Sequence, residues 1–487
     1  MGARAGDRAS SAVGGGPESI GPLLTRLRLA RGYTQLLVAE RLRATSGLGT
    51  VTRHEVSRWE REERLPGQFW LTWLAVVLEA PLAELEAAVA RARVAATTGS
   101  PPPDPQRLWR PVTATQLLAE LDQADPADLH DLVHAWLAAP DEPALPGSPV
   151  AGGRWQPVTT DTGPLDALEA KLADHRRMDD LVGGLALAGP VDRGLRTAIE
   201  LFGGLRGSRV RRRALLLIAE YAQLAGWVHA DAGEHAAARR AYRLGLRAAT
   251  AGGDRALAAH VLGSLSQLLL TTGDPREALL LARSGQAGAR PDASPGTRAL
   301  LLHRVALAAA AAGERRAAYA ALTAADRAAD QSDPDREPRR LYWLDPAELS
   351  AMTGRCWAVL GRPLRAIRLL AGPRPGVGPR TAAIYAGWLA RCYLAVGEIE
   401  TACRVARRAL RDAIRAGSVR AAAELRQLRP LLLRHRDLPA VRHYEHVLAT
   451  AGQYLPAPPA RGRPGGAGRA AAGARHPPAR PPDTVAE

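Results

Sequence analysis

Several sets of side chains in this sequence stand at spacings that chemistry uses. His54-Glu55 opens the H-E-x-x-H pattern that holds zinc on one face of a helix, but the place of the second histidine is taken by Arg58, so no zinc pair forms. His443 and His446 are three apart with Glu445 between them, a spacing that can hold a metal on a helix, yet the sequence supplies no evident third ligand and two surface histidines are the plainer reading. Gly183-Gly184 and Gly203-Gly204 lack the flanking strands of a nucleotide-binding loop. No G-x-S-x-G and no G-x4-G-K-[ST] occurs. Cys356, Cys392 and Cys403 include no C-x-x-C pair, which argues against a disulfide framework or structural zinc and fits a reducing cytoplasm. With no nucleophile or general base to defend, the chain is read as a non-enzyme, with no metal and no cofactor.

What remains is charge. The 487 residues carry 65 basic against 49 acidic side chains, a formal net charge of +16, and Lys171 is the only lysine. Arginine in the company of abundant Ala, Gly and Pro reflects in part a GC-rich coding sequence. The excess of base over acid still calls for a polyanion, and DNA comes before a membrane surface. The opening MGARAGDRASSAVGGG has no apolar core of a signal peptide, and no run approaches the roughly 18 apolar residues of a membrane span.

The elements that must position these charges are helical. Aromatics make up only 4% of the chain, so Leu, Ala and Val do the packing, and these favour helix over strand. Residues 1–17 and the basic tail 456–487 are small, polar or Pro/Gly-rich and are expected to be disordered. Residues 18–95 carry dense helical periodicity. Residues 96–164 read as a Pro-rich linker holding one short helical hairpin at 112–139, broken at Pro126. Residues 165–455 are helical again, and they repeat. Gly233, Gly273, Gly313, Gly361 and Gly397 are each followed five residues on by Ala238, Ala278, Ala318, Ala366 and Ala402, and four further by Tyr242, Ala282, Leu322, Leu370 and Ala406. Glycine allows a tight turn, the alanine lets a partner helix approach, and the next residue fills the groove. This order is similar to the tetratricopeptide repeat, with periods of 40, 40, 48 and 36 residues that imply longer helices.

In the N-terminal region, Gly32 should stop a first helix of about 21–31, and Thr34 should cap a second that carries Gln35, Val38, Ala39 and Leu42. Thr52-Arg53-His54-Glu55 reads as a capping box opening a third helix to about Arg61, and Phe69 to Leu78 make a fourth, with a fifth after Pro81. Arg-Gly-Tyr-Thr-Gln-x3-Ala-Glu-x-Leu followed by Val-Thr-x3-Val-Ser-x-Trp-Glu-Arg resembles the DNA-binding domain of the XRE (phage-repressor-like) helix-turn-helix family over about 70 residues. Fused to tetratricopeptide-like repeats, with Gln223-Leu224-Ala225-Gly226-Trp227 and Tyr342-Trp343-Leu344-Asp345, the chain is similar to a group of actinomycete regulators.

The resemblance implies an all-α protein: a four- or five-helix lambda-repressor-like domain followed by a tetratricopeptide-like α-solenoid. It implies that Arg53, His54 and Arg58 face base edges, and that Thr34, Gln35, Ser57, Arg61 and Arg64 meet the DNA backbone. Val38, Leu42, Val56 and Trp59 fall on the inner face. It further implies a partly buried ion pair between Arg28 and Glu60. The departure is the stretch Arg43–Thr50, read as a loop where the family has a tight turn. The expected partners are a double-stranded DNA operator, a second copy of the chain, and a peptide, small molecule or protein on the repeats. The N-terminal domain offers little spare apolar surface, so the repeats are expected to supply most of the homodimer interface. The alternative is a repeat-based interaction scaffold whose helix-turn-helix serves contacts other than DNA.

Overall fold

A computed structural model describes residues 18–46, 51–98, 112–122, 129–138, 162–289, 293–374 and 376–457. The two termini, the Pro-rich stretches and Gly47–Thr50 fall outside the described residues. Among the described residues the protein is all helical, with no strand.

The first five helices are α1 (Ile20–Ala30), α2 (Gln35–Ser46), α3 (Arg53–Glu60), α4 (Gln68–Val77) and α5 (Leu82–Thr98). Gly32 ends α1 at φ +68°, a conformation an L side chain resists. Thr34 Oγ1 accepts the Leu37 N–H at 3.0 Å and Thr52 caps α3 by accepting the Glu55 N–H at 3.4 Å. Ile20, Leu24, Val38, Leu42, Val56, Trp59 and Leu74 form one buried core. The inserted stretch is not all loop. Helix α2 runs on through Ser46, because no glycine or proline stops it before Gly47 and the Thr45 hydroxyl folds back onto the Arg41 carbonyl at 2.7 Å.

The rest is a repeat-like array of sequential helix pairs. After α6 (Ala114–Asp122) and α7 (Leu129–Ala138) come α8 (Gly163–Leu181) and α9 (Gly184–Gly204). The pairs follow as α10 (Ser208–Asp231) with α11 (His235–Ala251), α12 (Arg255–Thr272) with α13 (Pro275–Gly288), α14 (Pro295–Ala311) with α15 (Arg315–Ala329), α16 (Pro346–Val359) with α17 (Pro363–Leu370), and α18 (Pro379–Ala395) with α19 (Ile399–Ala416). The five repeated glycines turn each pair at φ between +71° and +95°, and the alanine five residues on is fully buried in all five. Tyr242 packs so tightly over Gly226 that a β-carbon there would sit 2.5 Å from its ring. The 48-residue gap between Gly313 and Gly361 is taken up by a segment with two short 3-10 turns, Pro334–Arg336 and Arg339–Leu341. Helices α20 (Val419–Leu432) and α21 (Pro439–Ala451) cover the last pair, burying Leu428 and Tyr444.

Two features differ from the sequence reading. Helices α6 and α7, expected as one hairpin within a linker, pack on the array instead: Leu117, Leu132, Val133 and Trp136 belong to the same core. Their apolar faces have no partner of their own, so they pack where α9, α11 and α13 leave surface open, with Arg255 over the Trp136 ring at 5.1 Å. The array also curls until its beginning meets its end. Arg380 on α18 grips Asp179 on α8 with a forked pair, Nη2 to Oδ2 at 2.7 Å. The wholly buried Asp231 on α10 accepts the Ser418 hydroxyl at 2.8 Å and the Gly184 N–H at 2.9 Å. Helix α1 also packs against α13, which joins the N-terminal helices to the array.

Candidate functional site

Helix α3 is short, and its two sides differ sharply. Val56, Trp59 and Glu60 are buried, while Arg53 and His54 are exposed and Ser57, Arg58 and Arg61 are half-buried. At about 100° per residue, positions 53, 57, 61, 54 and 58 fill one arc of roughly 140° on the helix surface. Three of the five expected base and backbone readers on this helix therefore lie beside the other two, on one face. Thr34 and Arg64 are exposed as well.

The cations on this face are not equally available. Arg53 and His54 make no hydrogen bond or ion pair among the described residues. Arg58 reaches Glu55 at 3.3 Å and Glu63 at 3.9 Å, Arg61 reaches Glu63 at 3.1 Å, and Arg64 reaches Glu55 at 3.4 Å. The Glu55 carboxylate thus serves arginines rather than turning back to the cap. These pairs lie at the surface, where such pairs contribute little.

The inner side is locked by charge. The Arg28 fork meets both Glu60 oxygens, Nη2 to Oε2 at 2.9 Å, with side-chain exposures of 6% and 1%. This is the pair expected from the sequence, more deeply buried than foreseen. Arg28 also donates to the Tyr33 carbonyl at 3.0 Å, which ties the turn before α2 to the end of α3. Gln35 is half-buried, and its amide donates to Glu60 Oε2 at 2.7 Å. One of its amide hydrogens is thereby spent inside the protein. Trp59 leans on Trp70 of α4, ring centroids 6.0 Å apart.

The expectation that this region lacks spare apolar surface is corrected. Helix α4 presents Phe69 and Val76, exposed by 47% and 56%, on either side of the half-buried Trp73, a stripe at helical spacing that no neighbour covers among the described residues. Conversely, the array ends are occupied with each other and with α20 and α21.

Two residues singled out for spacing have partners within the chain. Glu445 between His443 and His446 takes Arg429 at 3.0 Å, and Gly184 donates its N–H to Asp231. The sequence reading missed a second set of polar residues, centred on Arg304 and Arg355, that lines a cavity inside the array. Two signals pointed there. His303-Arg304 interrupts the apolar run of α14, and Gln223, Trp227, Tyr342, Trp343 and Asp345 from the two quoted motifs all line the same cavity.

No helix of the described residues is long and apolar enough to cross a membrane. No family model matches the chain, no curated protein matches it, and no solved structure matches it.

Proposed function

We propose that this protein is a sequence-specific DNA-binding transcription regulator of the cytoplasm. Its N-terminal helices form a lambda-repressor-like helix-turn-helix domain, and α3 lies in the major groove of an operator. Arg53, His54 and Arg58 meet base edges, and Thr34, Gln35, Ser57, Arg61 and Arg64 meet the backbone. The array behind it is a tetratricopeptide-like solenoid. The observation that carries this reading is the single polar arc of Arg53, His54, Ser57, Arg58 and Arg61, exposed at Arg53 and His54 and half-buried at the rest, on a helix whose opposite side is fixed by Trp59 and by the Arg28–Glu60 pair. A helix held that rigidly presents its polar face as a unit, which groove readout needs.

A gel shift of the full chain on duplex DNA from its own upstream region, at two salt concentrations, tests the reading. Preference for one duplex is expected, with affinity falling on a log–log slope of about −0.9 per neutralised phosphate. Equal affinity for all duplexes with little salt effect leaves the scaffold reading instead. We further propose a homodimer, since two copies of α3 related by a twofold axis read half-sites about one helical turn apart. Light scattering of the full chain and of a fragment ending at Pro101 locates the interface. A dimer lost in the fragment places it on the array, and a dimer kept in the fragment places it on the Phe69–Val76 stripe.

A further inference from the structure

Where the beginning and end of the array meet, they line a cavity of about 340 Å³. Carboxylates and guanidinium groups both line it, but the pairing is lopsided. Every carboxylate is engaged: Asp179 by Arg380, Asp180 by the Tyr342 hydroxyl at 2.8 Å, Glu348 by the Tyr385 hydroxyl at 2.5 Å, Glu424 by Arg391, and Asp345 by the Glu348 N–H at 2.7 Å. Three of the guanidinium groups meet no carboxylate among the described residues. Arg304, only 8% exposed, donates to the neutral Gln267 amide oxygen at 2.8 Å. Arg355 lies over the Trp388 ring at 5.1 Å and its buried Nε has no partner. Arg374 donates to the Leu370 carbonyl at 3.3 Å, and its buried Nη1 has no partner.

The acid nearest these groups, Glu348, relieves their charge only in part, because it is held by the Tyr385 hydroxyl and burial favours its neutral form. Burial, together with the neighbouring Arg355, pushes the Arg304 pKa down to about 10, so it stays protonated at neutral pH. His260 and His303 also line the cavity, 4% and 2% exposed with unpartnered Nδ1 atoms, and burial keeps both neutral. Burying a cation without a counter-charge is costly, and an anion well placed against it offsets much of that cost. Arginine forks suit the paired oxygens of a carboxylate or phosphate. Other lining residues are apolar or aromatic: Leu224, Trp227, Leu307, Trp343, Met352 and Ile384. The volume is that of a small-ligand site.

We propose that this cavity binds a small organic anion, its carboxylate or phosphate held by Arg304 and Arg355 and its apolar or planar body set against Trp227, Trp343 and Met352. The site stands on the array alone and does not depend on the DNA-binding reading. Calorimetric titration of the full chain with phenyl phosphate, benzoate and inorganic phosphate, at constant ionic strength in chloride, tests it. One organic anion should bind saturably at one per chain, at least tenfold more tightly than inorganic phosphate. Preference for phenyl phosphate assigns a phosphate headgroup, and preference for benzoate a carboxylate. Arg355→Met should weaken that binding tenfold or more while raising the melting temperature of the ligand-free protein, and Arg408→Met, on an exposed face of α19, should change neither. Should Arg355→Met not fold, Arg355→Lys keeps the charge, loses the fork and should weaken binding at least fivefold. Failure of both organic anions to bind saturably, binding that neither Arg355 variant weakens, or inorganic phosphate binding as tightly as phenyl phosphate overturns the proposal.

Discussion

Arginine is put to opposite uses at the two ends of this molecule. On and just after α3 the arginines are half-buried or exposed, and Arg58, Arg61 and Arg64 share Glu55 and Glu63 in pairs of 3.1–3.9 Å at the surface. Inside the array, Arg304 is buried and Arg355 half-buried, and among the described residues neither forms an ion pair with a carboxylate; Glu348, the acid near both, is held by Tyr385. Between these extremes lies Arg28, buried but fully matched by Glu60. The difference shows that the side chain does not decide its role; the surrounding dielectric and partner do. An exposed, loosely paired arginine is ready for a phosphate at little cost. A buried matched one fixes geometry, and a buried unmatched one creates a demand for an anion.

The largest effect should come from unmatching the matched pair. Glu60→Ala strands the Arg28 charge and should cost about 3–5 kcal/mol in urea unfolding, whereas Arg28→Met with Glu60→Leu should recover most of it. A loss below about 1 kcal/mol would mean that the pair is solvated and the contrast with α3 false.

On the exposed side, Arg53→Ala should weaken binding to the preferred duplex by about 1–3 kcal/mol and relax its sequence preference, as expected for a base reader. Gln35→Ala should weaken all duplexes more evenly. If Arg53→Ala leaves the preferred sequence unchanged, the base-reading assignment fails.

The cavity has its own signature in pH. Burial, aided by Arg304, lowers the His303 pKa from the ordinary value of 6.5 to about 4. The folded state therefore favours the neutral ring, so its stabilising share is full above about pH 6.5 and is lost as pH falls toward 4. Between pH 7.5 and 5.5 this one group should remove roughly 1 kcal/mol of stability, and His303→Gln should flatten that part of the profile. An identical slope in the variant would show that water reaches the ring.

The smallest effect tests how loosely the α3 cations are held. Glu63→Gln frees Arg61 from a pair worth about 0.2–1 kcal/mol and leaves Arg58 with Glu55 alone, so affinity for any duplex should rise about two- to fivefold. A fall in affinity would mean that Glu63 positions these arginines rather than competing for them.

Much of the architecture was legible because it is local. The turn glycines Gly233, Gly273, Gly313, Gly361 and Gly397 need a left-handed backbone, and the alanines after them need burial; both demands are written in single residue types at fixed offsets. Thr34 and Thr52 announced the starts of α2 and α3 in the same way. The Arg28–Glu60 pair, 32 residues apart, was legible only through a resemblance, since nothing local links the two. The hairpin with Trp136 was misread as linker because Pro-rich flanks describe a chain's stiffness, not where its apolar face finds a partner.

The sequence by itself determined the helices, their turns, the small residues at their seams and the polar arc of α3, all consequences of propensity and periodicity over a few residues. Only the tertiary structure decided that the array closes on itself through Asp179–Arg380 and Asp231–Ser418, partners 201 and 187 residues apart. That closure is what makes Arg304 and Arg355 interior. On an isolated helix each would be one more solvated arginine, and periodicity cannot distinguish a face turned to water from one turned toward a cavity that distant helices line.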